Sequence, residues 1–185
     1  MSIPQSADAA KLIVSILATD HEHLNLALRR LTDLFGLPDV VSMPLSFHYT
    51  DYYKPEMGSN LVRRFVAFAR LIRPETLPDI KIATNSLELE QTVGECRNVN
   101  LDPGYISSAH LVLATGKGYT HRPYLRDGIY VDLTLVFHDK TFHTLPWTYP
   151  DYADPVQIIF FNRVRGRYVA QLRQGAAKEL VEPVQ

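Results

Sequence analysis

Residues 11–19 read KLIVSILAT, and this stretch decides the fold class. It is rich in β-branched residues and has apolar side chains at both odd and even positions, a pattern typical of a strand buried on both faces. Asp20 follows in a position that favours a helix N-cap. Apolar residues then recur at helical spacing from Leu24 to Phe35, and Gly36 ends the segment. The sequence therefore predicts a buried strand that leads into an amphipathic helix.

Further strands and helices follow this first pair. Strands are predicted over the ranges 45–53, 61–72, 108–115, 127–137 and 141–145, and helices over 75–93 and 155–174. This order predicts an α+β fold with a mainly antiparallel sheet and helices packed on one face. The first half has the ferredoxin-like order βαββαβ, and an additional C-terminal hairpin and helix follow it.

Length and composition are those of an ordinary globular protein. The 185 residues are predicted to form one α+β domain over 1–185, with a disordered start at 1–9 and a frayed end at 176–185. The net charge of -1 argues against a general nucleic-acid-binding protein. The single cysteine, Cys96, excludes an internal disulfide. Since neither a signal peptide nor a bilayer-spanning apolar run is present, we expect a cytoplasmic protein without membrane contact.

The helix predicted over 75–93 carries two polar faces, whereas a simple surface helix has one. Lys81, Asn85 and Glu88 fall on one of these faces, and Asp79 lies on the opposite one. One polar face should contact water, and the other is predicted to line a cleft. The alternative is that both faces are solvated and that Lys81, Asn85 and Glu88 pair with one another on the surface.

Two polar loops are predicted to extend this site. The first, 97–105 (RNVNLDPGY), concentrates groups that suit recognition of a phosphate, carboxylate or sugar: Arg97, Asn98, Asn100 and Asp102. Its Asp-Pro-Gly sequence is also typical of a tight turn with no further role. The second, 115–124 (TGKGYTHRPY), places Lys117 between two glycines and brings His121 next to Arg122. Its alternative interpretation is an exposed hairpin loop with solvated charges.

The sequence contains no recognised catalytic or metal-binding motif. The Gly-Lys pair at 116–117 is not a Walker A loop, because Leu111 and Gly118 occupy positions that require Gly and Ser or Thr. No dedicated metal site is therefore predicted, and no cofactor can be named. One alternative stays open, in which Asp51, Glu88 or Asp102 holds a hard cation together with a phosphorylated ligand.

Several of these stretches together resemble the DUF4416 family, a domain of unknown function found in bacteria and archaea. The similar segments are 50–53 (TDYY) with 56–58 (EMG), the helix residues Lys81, Thr84, Asn85 and Glu88, the two polar loops, and 148–152 (TYPDY). The resemblance extends over essentially the whole chain. It implies a prokaryotic cytosolic protein and brings no established activity.

The leading hypothesis is a polar cleft that binds a small anionic ligand, such as a nucleotide or a phosphorylated metabolite, in a protein that could be an enzyme. Proton transfer is assigned to Asp51, Asp102 and His121. Ligand binding is assigned to Lys81, Asn85, Glu88, Arg97, Asn100, Tyr105, Lys117 and Arg122. A second hypothesis is an RNA- or protein-binding module without catalysis, although the near-zero charge does not favour nucleic acid. A third is an internal hydrogen-bonded network with a structural role. The sequence does not specify the oligomeric state.

Overall fold

The computed structural model of the chain describes residues 1–94 and 96–175. Its first strand, β1 (Ala10–Ala18), is buried along its whole length. The first helix, α1 (His21–Phe35), begins where Asp20 accepts a hydrogen bond at 2.8 Å from the backbone N–H of His23. This contact satisfies one of the free amide groups at the start of the helix. Residues 1–9 form neither helix nor strand, and the predicted frayed end at 176–185 lies outside the described residues.

The remaining elements follow in chain order. The strands are β2 (Pro38–Val41), β3 (Leu45–Phe47), β4 (Leu61–Ile72), β5 (Thr92–Val93), β6 (Cys96–Arg97), β7 (Val99–Ile106), β8 (His110–Thr115), β9 (Tyr124–Arg126), β10 (Ile129–His138) and β11 (Thr141–Thr144). The helices are α2 (Lys54–Met57), α3 (Leu77–Glu90), α4 (Pro150–Ala153) and α5 (Pro155–Arg173). A single 3₁₀ turn at Pro74–Thr76 precedes α3. None of the helices in the described part of the chain is long and apolar enough to cross a membrane.

The α+β class with a mainly antiparallel sheet is confirmed. The main sheet has nine strands in the order β11-β10-β8-β7-β1-β4-β2, with β3 paired to β4 and β9 paired to β10. The ferredoxin-like arrangement of the first half is not confirmed. In the sheet, β1 lies between β4 and β7 and is antiparallel to both, and β4 lies between β1 and β2 and is antiparallel to both.

Helices cover both faces of the sheet, which corrects the prediction of helices on one face. Alternate side chains of β1 point to opposite faces. Leu12, Val14 and Ile16 pack against α1 and α3 in one core cluster. Ile13 belongs to a second cluster on the other face, where Phe161 of α5 also packs. Because β1 carries apolar side chains on both faces, a layer of helices on each face is needed to bury it.

Most predicted elements are present, and two differ. Residues 45–53 were predicted as one strand, but only Leu45–Phe47 is extended, and the chain then turns into α2. The polar loop predicted over 97–105 is wrong, because Val99–Ile106 is the strand β7. The Pro103-Gly104 pair was interpreted as a turn. In β7, Gly104 instead allows a close approach to β8, since a Cβ there would lie 2.8 Å from Leu113 Cδ2.

Candidate functional site

The site begins where β7 and β8 separate. These strands pair only from Gly104 to Ile106 on β7, whereas β7 is paired with β1 from Val99 onward. The backbone of Leu101 therefore faces a gap in the sheet rather than a neighbouring strand. The two side chains of α3 that satisfy it are Lys81, whose Nζ donates to the Leu101 carbonyl at 2.7 Å, and Glu88, whose Oε1 accepts from the Leu101 N–H at 2.8 Å.

A cavity of about 920 Å³ opens at this gap. Its lining comes from α3, from the strands β4, β6, β7, β8 and β10, and from the segments 47–53, 115–122 and 149–152. Eight of the predicted residues line it: Lys81, Asn85, Glu88, Arg97, Asn100, Asp102, Lys117 and Arg122. The polar stripe of α3 thus turns inward, and the side chains of the two predicted loops lie around the same space. We call this cavity the cleft.

Three predicted residues do not line the cleft. Asp51 is exposed and pairs with Lys54 at 2.8 Å between Nζ and Oδ1. Tyr105 packs against the apolar cores on the α3 face. His121 lies behind the cleft wall, where its Nε2 is 3.3 Å from Asp132 Oδ2 and its ring stacks on Trp147 with centroids 4.8 Å apart. Of the three residues assigned to proton transfer, the structure brings only Asp102 to the cleft.

Arg97 is held by carboxylates of the protein itself. Its Nε and Nη2 donate to the two carboxylate oxygens of Glu56 at 2.5 and 2.8 Å. Its Nη1 donates to Glu88 at 2.9 Å and to Asn100 Oδ1 at 3.0 Å. This hydrogen-bonded guanidinium lowers the pKa of Glu56 below its usual value, which indicates a strong ion pair. Because these carboxylates neutralise its charge, Arg97 forms part of the cleft wall and is less available to an anionic ligand.

Asp102 is a carboxylate without a cationic partner. It accepts a hydrogen bond at 2.8 Å from Asn100 Nδ2, and within the described residues no Lys, Arg or His lies within ion-pair distance of it. Burial raises the pKa of Asp151, and the nearby negative charge of Asp102 adds to this effect. The pKa of Glu88 is likewise raised by burial, with Asp102 contributing in the same direction. The Asp102 carboxylate thus disfavours the ionised forms of Glu88 and Asp151.

Arg63 is buried, lines the cleft and was missed as a site residue. Its guanidinium bonds to Asp151 and lies 4.4 Å from the centroid of the Phe47 ring. It shares a face of β4 with Leu61 and Phe65, which are buried. An arginine at a core-facing position of a strand was the signal that sequence reasoning could have used, because a buried charge requires a partner or a role.

The mouth of the cleft is formed by Lys117 and Arg122. Lys117 Nζ bonds to the Tyr52 hydroxyl and lies 4.4 Å from the centroid of that ring. Arg122 donates through Nε to Asp132 at 2.8 Å and through Nη2 to the Tyr149 hydroxyl at 2.5 Å. Among the described residues, Lys117 has no carboxylate within ion-pair distance. Asp132 and Tyr149 also line the cleft and were not predicted as site residues.

One group of side chains outside the cleft could hold a metal ion. It consists of His138, Asp139 and His143 on the hairpin between β10 and β11, and their ligand atoms lie within 4.8 Å of one another. This hairpin is about 20 Å along β10 from Asp132 and is largely exposed. No other group of this kind occurs among residues 1–94 and 96–175. The cleft itself thus offers paired and single carboxylates rather than a preformed metal cage.

The fold and the cleft define an α+β protein with an open antiparallel sheet and a polar cavity at a gap between two of its strands. The chain belongs to the DUF4416 family, a domain of unknown function, whose model matches residues 8–168. The match includes every residue that lines the cleft and confirms the family to which the sequence motifs pointed. No curated protein and no solved structure is significantly similar to the chain.

Proposed function

We propose that the cleft binds a small anionic ligand, with a nucleotide or another phosphorylated metabolite as its class. The observation that carries the proposal is the position of Lys117, a cation at the mouth of the cleft with no carboxylate partner among the described residues. The four other cations that line the cleft each lie within 4.0 Å of a carboxylate: Arg63, Lys81, Arg97 and Arg122. The cavity volume of about 920 Å³ suits a metabolite of this size.

The backbone around Lys117 supports an anion at this position. Gly116 and Gly118 leave the turn free of side chains, as in many phosphate-binding loops. The turn is held in place, because the Lys117 N–H donates to Thr115 Oγ1 at 3.1 Å and the Lys117 carbonyl accepts from Arg122 Nη1 at 3.2 Å. A lysine on a fixed, open turn is well suited to a phosphate group.

Any proton transfer on the bound ligand would involve Asp102. It is the only residue of the three assigned to this role that faces the cleft, and its single hydrogen-bond donor leaves further lone pairs available. Asp51 and His121 are not proposed for proton transfer.

The RNA-binding alternative has less support than the ligand-binding proposal. An RNA reader of this kind would need an exposed sheet face with free arginines and aromatic rings. Helices pack on both faces of this sheet, and Arg63 is buried against Asp151. Three further arginines, Arg64, Arg70 and Arg73, do not line the cleft.

The proposal is tested by calorimetric titration of the wild type and two lysine variants with inorganic pyrophosphate, nucleoside monophosphates and sugar phosphates. We expect at least one phosphorylated compound to bind, and Lys117→Met to weaken it by about tenfold or more, because a charge-assisted hydrogen bond is lost. Lys140→Met is the matched control, since Lys140 lies on the exposed turn between β10 and β11. Absence of binding, or equal affinity in the Lys117 variant, would overturn the proposal.

A further inference from the structure

The hairpin between β10 and β11 brings together three side chains that can bind a metal ion. His138 pairs with Thr141 across the two strands, so Asp139 and Lys140 alone form the turn between them. His143 lies two residues beyond Thr141 and is therefore the diagonal neighbour of His138 on the same face of the hairpin. The turn thus places the Asp139 carboxylate next to two imidazole rings at the edge of the sheet.

The opposite face of the hairpin is anchored to the body of the protein. Phe142 is buried in the same core cluster as Phe161 of α5. Asn162 of α5 accepts from the Phe142 N–H at 3.0 Å and donates through Nδ2 to Thr141 Oγ1 at 2.8 Å. The strand that carries His143 is therefore held in position by α5, and a metal site requires such support because its ligands must keep a defined geometry.

The ligand atoms of these residues are close enough to share one ion. Each residue offers a ligand atom within 4.8 Å of those of the other two. His138 Nδ1 lies 3.0 Å from Asp139 Oδ2, and the His138 and His143 rings stack with centroids 3.6 Å apart. Two ligand atoms of a tetrahedral zinc ion lie roughly 3.3 Å apart, given bond lengths of about 2.0–2.1 Å. The observed distances lie on either side of this value.

The ion would bind on the exposed side of the hairpin. The side chains of His138 and Asp139 are 54 % and 87 % exposed, so rotation about their χ angles can turn their ligand atoms toward one point. His143 Nε2 is covered by the protein, which leaves Nδ1 as the His143 atom that can bind an ion. Two flexible ligands therefore adjust around one that the hairpin holds in place.

We infer that His138, Asp139 and His143 bind a divalent transition-metal ion, with Zn²⁺ as the best-suited ion. Imidazole nitrogen binds zinc and other late first-row metals, whereas Mg²⁺ and Ca²⁺ prefer oxygen ligands throughout. Two imidazoles and one carboxylate are also the protein ligands of zinc sites that keep a fourth position open to water or another ligand. The site is separate from the cleft and does not depend on the function proposed for it.

Calorimetric titration of the full chain with zinc chloride in a phosphate-free buffer tests the inference. We expect saturable binding of a single Zn²⁺ ion that excess Mg²⁺ does not displace. His138→Gln and Asp139→Asn should each weaken it by more than about tenfold, since even the loss of an outer partner of a metal ligand costs roughly 10–100-fold in affinity. His21→Gln, at the exposed start of α1, is the matched control and should bind Zn²⁺ as the wild type does.

Several outcomes would overturn the inference. Absence of saturable Zn²⁺ binding would do so, as would wild-type affinity in either His138→Gln or Asp139→Asn. Both residues are exposed, so these variants should fold, and their thermal melts without metal verify this. An equal loss of affinity in His21→Gln would indicate adventitious binding to surface histidines and would also refute the site.

His143→Gln tests the third ligand. It should weaken Zn²⁺ binding by more than about tenfold, and unchanged affinity in a folded variant would refute the site. Because the hairpin is separate from the cleft, His138→Gln should leave the binding of phosphorylated compounds unchanged. The metal site and the proposed function of the cleft can therefore fail independently of each other.

Discussion

Gly104 marks the point at which β7 and β8 begin to diverge. A Cβ at this position would overlap the carbonyl oxygen of Val112 and would crowd Leu113 on the neighbouring strand. The close approach sits at the first paired position of the two strands, next to the gap at Leu101. One residue without a side chain therefore fixes where the sheet closes and where the cleft starts.

Gly104→Ala should lower the free energy of unfolding by about 3 kcal/mol, because the added methyl group forces backbone and side chains apart in a packed region. Gly166→Ala is the matched control. Nothing lies within 4 Å of a Cβ at Gly166, which is inside α5, so this change should raise stability by about 1 kcal/mol through helix propensity. Urea denaturation of both variants measures the difference. Equal effects of the two substitutions would contradict the role assigned to Gly104.

The helix α3 stabilises the sheet through polar side chains that, from the sequence alone, were predicted to bind a ligand. Lys81 and Glu88 satisfy the backbone of Leu101 where β7 has no partner strand on that side. Their side chains line the cleft, but both are already hydrogen-bonded to the backbone of Leu101. Asn85, between them on the helix, lines the same cleft. The sequence could indicate that this stripe turns inward, but not that two of its residues replace a missing strand.

Lys81→Met should lower the free energy of unfolding by about 3 kcal/mol even without a ligand, because it leaves the buried carbonyl of Leu101 without a donor and removes a cation next to Glu88. Lys117→Met has the same chemical change at an exposed position and should alter stability by less than about 0.5 kcal/mol. Chemical denaturation of the two variants tests this contrast. A stable Lys81→Met protein would mean that Lys81 is a binding residue without a structural task.

Elements with regular patterns were predictable, and the opening in the sheet was not. The strand at Leu61–Ile72 and the start of α5 at Pro155 lie where apolar pattern and capping residues placed them. The strand Val99–Ile106 was predicted as a loop because Pro103 and Gly104 are typical turn residues. The backbone groups of Leu101 point away from β1, and those of Pro103 therefore do so as well. The missing N–H of Pro103 thus faces the side where β8 is not yet paired.

The cleft residues were predictable only where polar side chains cluster along the chain. Asp132 and Asp151 were missed because each is a single charge in an apolar or aromatic segment, and Arg63 was missed because it lies within the apolar strand β4. Only the tertiary fold brings these residues to the cleft. Asp51 and His121 do not line the cleft, because proximity in sequence does not determine the direction of a side chain. The covering of both sheet faces, in contrast, was implied by residues 11–19, whose apolar side chains alternate to both sides.

At the scale of the whole molecule, several tyrosines are wholly or partly buried. Burial raises the pKa of tyrosines in the cleft, the cores and α5: Tyr49, Tyr53, Tyr105, Tyr149, Tyr152 and Tyr168. Because the folded state keeps these protons at a pH where the unfolded chain releases them, the folded state binds more protons than the unfolded state at alkaline pH. Their contribution to stability is complete below the unfolded value of about pH 10 and is lost as the pH rises further.

We therefore expect the urea midpoint to be lower at about pH 11 than at about pH 9, with phenolate absorbance rising together with the loss of helical circular dichroism. Tyr152→Phe should reduce the alkaline loss, whereas Tyr124→Phe, at an exposed position, should leave it as in the wild type. Gradual ionisation of all tyrosines in a protein that stays folded would contradict the prediction.

The central position of β1 has a consequence for synthesis of the chain. Its two partners, Leu61–Ile72 and Val99–Ile106, lie far downstream. At a synthesis rate of about 5 to 20 residues per second, roughly 2 to 9 seconds separate the appearance of Ala18 from that of Leu61. During this interval an apolar segment with strong β propensity has no partner strand, the condition in which nascent chains aggregate or recruit chaperones. The strand β1, which lies inside the finished sheet, is therefore exposed without a partner strand early in the synthesis of the chain.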